Sequence, residues 1–169
     1  MNFGLLLLAA GLSTALMAQN PLSTETKAMY EAIRNNITRS ADKMPEENFA
    51  FKPVPEVRSF GQLIGHIADA QYLFCSAVKG EKNPAPGIEK TKSSKADLVS
   101  ALKEAFAYCD AAYTAMTDQS AMEMVKFFGR ERSKLNVLNF NSSHNNEHYG
   151  NIVTYMRIKG LVPPSSEGR

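Results

Sequence analysis

From Ser133 to Lys159 the chain carries a helical pattern long enough to dictate what surrounds it. At about 1.5 Å per residue such a helix is roughly 40 Å long. Gly160 stands where a left-handed stop is wanted, and Pro163-Pro164 prevents continuation. Three further segments have the same character. In the first, Met29, Ile33, Ile37, Ala41 and Met44 recur at helical steps, with Ser23 as the expected cap and Pro45 as the end. In the second, Ser59 and Gln62 have capping-box spacing ahead of Phe60, Leu63, Ile64, Ile67, Phe74 and Val78, and Gly80 closes the run. The third starts near Ser94, with Asp97 three residues on, and carries Leu98, Leu102, Phe106, Cys109 and Met116.

The connections read differently. Pro53 and Pro55 disfavour regular structure between Glu46 and Arg58, and the polar, Pro- and Gly-containing run from Glu81 to Lys92 reads as an exposed loop. Between Asp118 and Arg132, Met122, Met124 and Phe127 alternate in what can be one short strand, with Gly129 at a turn. Four long helices and at most one strand predict an all-α four-helix bundle.

The first eighteen residues carry no charged side chain and include the run Leu5 to Ala10. That run is shorter than the roughly 20 apolar residues a spanning helix needs. Ala15-Leu16-Met17-Ala18 offers a cleavage site after Ala18, although no Lys or Arg precedes the apolar run and Leu16 is larger than the preferred small residue. We read residues 1–18 as a signal peptide and 19–169 as one domain, periplasmic or secreted, with no stable membrane span after cleavage. The alternative is an uncleaved amphipathic or anchoring helix. A formal charge of +2, spread among acids, leaves no footprint for nucleic acid. Cys75 and Cys109 could pair in an oxidising compartment, but each also fits an apolar helical pattern as a buried free thiol, which the spacing favours.

The chemistry gathers on the three histidines, His66, His144 and His148. His144 and His148 are one helical turn apart and share a face with Val137, Phe140 and Tyr155, while His66 shares an inward stripe with Leu63, Ala70 and Leu73. Three buried imidazoles without partners would cost a few kcal/mol each, at about 2–7 kcal/mol per unpartnered polar group in an apolar medium. A shared divalent cation removes that cost, and three imidazoles with an open position is the pattern of a catalytic site. Asn141, Asn151 and Tyr155 lie near this face, where they could orient ligands or simply satisfy one another.

His144-Asn145-Asn146-Glu147-His148 also matches the H-x-x-E-H pattern of inverted zinc peptidases. Those enzymes take a third ligand from well downstream, where this chain offers only Glu167 in a polar tail. The peptidase reading is therefore set aside, and Glu147 is kept as a candidate catalytic acid or base.

Arg58-Ser59-Phe60-Gly61-Gln62-Leu63-Ile64-Gly65-His66-Ile67-Ala68-Asp69-Ala70 resembles the second helix of the DinB-like (DinB/YfiT) superfamily. His144-x-x-x-His148-Tyr149-Gly150, with Tyr155, Arg157, Gly160 and Pro163-Pro164, is similar to its last helix. The resemblance covers nearly all of the chain from Leu22 to Pro164. It implies a four-helix bundle with an unusual connection order, a metal site built from His66, His144 and His148, and a homodimer as one option. The cation would be Zn, Ni or Fe, with Zn favoured. The function it points to is a metal-dependent, hydrolase-like enzyme that activates water at the metal against a small molecule. A non-catalytic, stress-associated metal-binding module and a thiol-dependent S-transferase are the alternatives, the latter made less apt by export.

Overall fold

The computed structural model describes residues 20–168, so the signal peptide expected at residues 1–18 lies outside the described residues. Four long helices carry the fold: α1 (Pro21–Lys43), α2 (Phe60–Lys79), α4 (Lys95–Ala115) and α6 (Lys134–Ile158). Two one-turn helices, α3 (Ile88–Thr91) and α5 (Asp118–Ala121), and the strands β1 (Met124–Phe127) and β2 (Arg130–Ser133) lie between them. No helix among the described residues is long and apolar enough to cross a membrane.

Helix ends follow local chemistry where the signal is local. Ser59 and Gln62 form the reciprocal capping box at the start of α2, at 3.1 and 2.9 Å. Ser94 accepts from the Asp97 amide, but the Asp97 carboxylate takes the Ser94 hydroxyl rather than its backbone N–H, so only half of that box forms. At the other end of the chain α6 closes as a Schellman motif. Gly160 adopts φ +71°, and Leu161 N donates to Met156 O at 2.9 Å.

The start of α1 differs from expectation. It begins before Ser23, and its free backbone amides at Leu22 and Ser23 are met by the carboxylate of Asp118, the first residue of α5. Asn20 returns the contact by accepting from Asp118 N at 2.8 Å. Ser23 is thus a buried partner of Asp118, not a cap. The expectation of at most one strand is also corrected. β1 and β2 pair antiparallel, with Phe127 opposite Arg130 across the two-residue turn Phe128-Gly129. The second strand reads Arg-Glu-Arg-Ser, so it carries no apolar alternation and is held by backbone pairing.

Packing orders the long helices around the core. α2 lies against α4 and α6, and α1 also lies against α4 and α6, so the consecutive helices α1 and α2 sit across a diagonal. Tyr30 of α1 stacks on Tyr113 of α4 with ring centroids 3.8 Å apart. Cys75 and Cys109 join α2 to α4 as a disulfide, which corrects the reading of two buried free thiols. Next to it, Gln71 on α2 donates to Asn145 at 2.8 Å and accepts from Asn141 at 3.0 Å. All three amides are fully buried, so this ladder sets the register of α2 against α6. That register decides whether His66 meets His144 and His148.

Candidate metal centre

The three histidines converge. His144 Nε2 lies 3.1 Å from His66 Nε2 and 3.1 Å from His148 Nε2. One ligand atom from each ring can be chosen so that all lie within 4.8 Å of one another. A tetrahedral zinc ion with Zn–N bonds of about 2.0–2.1 Å would separate its nitrogens by roughly 3.3–3.4 Å. The two Nε2 distances from His144 are therefore close to those between ligands sharing one cation.

Protonation also fits that use. Burial, followed by the neighbouring imidazoles of His148 and His66, pushes His144 down to about 3. Burial and then His66 push His148 down to about 4, with Glu147 partly opposing. Both rings are neutral at pH 7 and need lose no proton to donate a lone pair.

His66 is oriented from outside by a residue in the segment expected to be a plain loop. Glu89 Oε2 lies 3.0 Å from His66 Nδ1. A carboxylate there fixes the proton on Nδ1 and leaves the Nε2 lone pair facing the other two rings. Burial works against ionisation of Glu89. Its contacts with Arg58, whose Nε donates to Oε1 at 2.9 Å, and then with His66 outweigh that and hold it below the usual carboxylate range.

Helix α3 carries Glu89, and α2 itself holds α3 in place. Both oxygens of Asp69 accept from the start of α3, from Ile88 N at 2.8 Å and Glu89 N at 3.0 Å. One turn earlier, Gly65 lets the two backbones meet. A Cβ at Gly65 would fall 2.7 Å from Glu89 Cα and 2.9 Å from Glu89 N. Gly65, His66 and Asp69 thus form a local unit on α2 that docks Glu89 onto the ring between them.

A sequence profile of the DinB superfamily matches residues 29–152. The chain belongs to the DinB superfamily. Among its DinB relatives, the uncharacterized protein YjoA of Bacillus subtilis (strain 168) is 25% identical over 141 residues, covering 82% of this chain and 91% of YjoA. The crystal structure of YjoA superposes with a TM-score of 0.69 at 22% identity, covering 86% of this chain and 99% of that one. A DinB-like protein from Bacillus cereus ATCC 10987 gives 0.68 at 19% identity, with coverage of 78% and 89%. A mycothiol-dependent maleylpyruvate isomerase gives 0.65 at 19% identity, covering 78% of this chain and 60% of that one. At these identities the structures show a shared DinB fold.

Two clefts reach the histidines of this DinB domain, and Glu89 lines both. A polar one of about 570 Å³ is lined by Lys52, Arg58, Gln62, Glu147, His148 and Asn151, among others. The other, of about 490 Å³, brings His66 and His144 together with Leu73, Phe74, Phe128 and Phe140. Glu147 is exposed and stands outside the Nε2 cluster, sharing the polar cleft with His148. The three residues considered as ligand-orienting do other work. Asn141 bonds Gln71 and Tyr113 in the core, Tyr155 donates to the Arg58 carbonyl, and Asn151 lines the polar cleft. Glu89, with Asp69 and Arg58 behind it, is the orienting residue that sequence reasoning missed. Ile88, an apolar residue in an otherwise polar run, was the one local sign that this segment packs.

Proposed function

We propose that this protein is a divalent-metal-dependent enzyme, hydrolase-like, acting on a small molecule, with His66, His144 and His148 as the ligands and zinc the favoured ion. The convergence of three imidazoles, each lining one of two open clefts, carries the reading. A divalent cation there supplies Lewis acidity toward a substrate oxygen or a water molecule. Glu89 keeps the His66 proton on Nδ1, so that ring can only present a lone pair inward. Burial keeps His144 and His148 neutral. Glu147, beside His148 in the polar cleft, accepts and returns a proton on the substrate side. The two clefts weigh against a closed, purely structural metal site. Export belongs to the same reading, and the Cys75–Cys109 disulfide supports it.

A thiol-dependent transferase or isomerase is the second reading. A protein of the same fold is a mycothiol-dependent maleylpyruvate isomerase, and the polar cleft with Lys52 and Arg58 has the character a polar thiol cosubstrate would need.

The test is a panel of small esters, amides and lactones offered to zinc-reconstituted protein, with and without low-molecular-weight thiols. The proposal expects thiol-independent hydrolysis that His144→Ala abolishes. Glu147→Gln should lower kcat on the order of 10²-fold or more with zinc content unchanged. Turnover only with thiol would favour the second reading. Stoichiometric zinc with no turnover in either arm would make the protein a metal-binding module.

A further inference from the structure

The cleft on the His66–His144 side is built from aromatic rings contributed by three separate elements. Phe74 of α2 lies 5.3 Å from Phe140 of α6 and 5.7 Å from the His144 ring, centroid to centroid. Phe128 of the hairpin turn lies 6.2 Å from Phe140 and 4.2 Å from Phe127. The wall therefore runs from the solvent edge to a proposed ligand ring.

Phe128 is the residue that fold considerations do not explain. It takes φ +49° in a two-residue turn whose second residue, Gly129, takes φ +75°. Turns of this kind strongly favour Asn, Asp or Gly at the first central position, and left-handed backbone is strained for a bulky residue. Nor does burial offset this, because Phe128 remains 61% exposed and Phe140 40% exposed. A strained, exposed phenylalanine at the mouth of a cleft beside candidate ligands is placed for contact with something that enters.

The charges around the cleft narrow what that is. Both oxygens of Asp69 are engaged by backbone amides, and Glu89 is shared between Arg58 and His66. Lys90 is the cationic side chain lining the cleft, beside these two carboxylates whose oxygens are already engaged. At about 490 Å³ the space is that of a small-molecule site, within the usual ~300–1,000 Å³.

We propose that this cleft binds the aryl group of a small aromatic acid derivative, its oxygen donors turned toward the three Nε2 atoms, with Phe128 and Phe140 setting the preference for an aromatic ring. This rests on the reading of the histidines as a metal site for the orientation of the ligand, but the aryl pocket itself is formed by protein atoms alone.

Benzohydroxamate and acetohydroxamate, which differ as phenyl against methyl, serve as probes. Each is titrated calorimetrically into zinc-loaded protein and followed by saturation-transfer NMR at millimolar concentration in chelator-treated protein. The expected result is at least about a tenfold preference for the aryl probe, about 1.4 kcal/mol, in both forms. Phe128→Ala and Phe140→Ala should each cut that preference below about threefold without changing zinc content. Aryl preference without any zinc uptake would keep the cleft and sink the metal reading. Equal affinities for the two probes would overturn the proposal, as would an unchanged preference in both variants. So would a dimer that Phe128→Ala dissociates and that gains aryl binding only once dissociated, since the cleft would then be the seat of a second copy.

Discussion

Glu89 Oε2 stands 3.0 Å from His66 Nδ1, and this contact ties a one-turn helix to the centre of the histidine cluster. It makes the ring a one-sided donor, since the proton is committed outward and the lone pair inward. Outer partners of this kind typically contribute about 10–100-fold to metal affinity. Glu89→Ala should therefore weaken zinc binding by that factor, with helical content unchanged, as read by competition titration against a chromophoric chelator. Glu89→Gln, which can still accept the Nδ1 proton, should lose less. Equal affinity in wild type and Glu89→Ala would show that the contact does not orient a ligand.

Gly65→Ala is expected to act through the same contact. Its Cβ would meet the backbone of Glu89, which cannot rotate aside as a side chain could. Helix α3 must shift, at a cost of about 1–3 kcal/mol in stability, and Glu89 moves with it. Because both changes break one interaction, the double variant Gly65→Ala/Glu89→Ala should bind zinc no more weakly than the worse single variant. Additive losses would place the effect of Gly65 elsewhere.

The Cys75–Cys109 bridge closes a loop with a sequence separation of 34. A loop of that size corresponds to roughly 3–4 kcal/mol by chain-entropy arithmetic. The double variant Cys75→Ala/Cys109→Ala should lose about 2–4 kcal/mol in chemical denaturation, and reductant should then have no further effect. A loss below about 0.5 kcal/mol would mean that the bridge does not constrain the unfolded chain.

How much of this was legible follows from how local each signal is. The pair His144 and His148 could be read because one helical turn fixes their common face, and His66 because its helix carries a complete capping box and a clear apolar stripe. Glu89 was hidden in a polar run whose four-residue helix has no periodicity to detect and is held by Asp69 and Gly65 of α2. The true start of α1 depends on Asp118, far along the chain, so Ser23 looked like the cap. Both cysteines were placed inward by spacing, yet only the packing of α2 on α4 brings their Cα atoms within 5.3 Å. The second strand carries no apolar residue at all, and the pairing partner alone defines it.

Asp118 should also mark the acid side of the stability profile. Its slight burial raises its pKa, but hydrogen bonds from the Ser23 and Leu22 amides and the Ser23 hydroxyl outweigh this and hold the carboxylate below its ordinary value. The folded state therefore binds fewer protons there than the unfolded chain as pH falls through the ordinary aspartate range, about 3.9. The stabilisation is complete above that range and is lost on acidification through the depressed folded value. Asp118→Asn should flatten the fall of Tm between about pH 5 and pH 3. An unchanged slope would mean that the carboxylate titrates normally.

Everything proposed for the site requires that His66, His144 and His148 hold one cation together. Elemental analysis of the protein purified without added metal or chelator, paired with zinc titration of chelator-treated protein, tests it most directly. The expected result is one divalent metal per chain, a rise in Tm on zinc addition, and loss of both in each of His66→Ala, His144→Ala and His148→Ala. Substoichiometric metal, with a Tm that zinc leaves unmoved in wild type and variants alike, would contradict it.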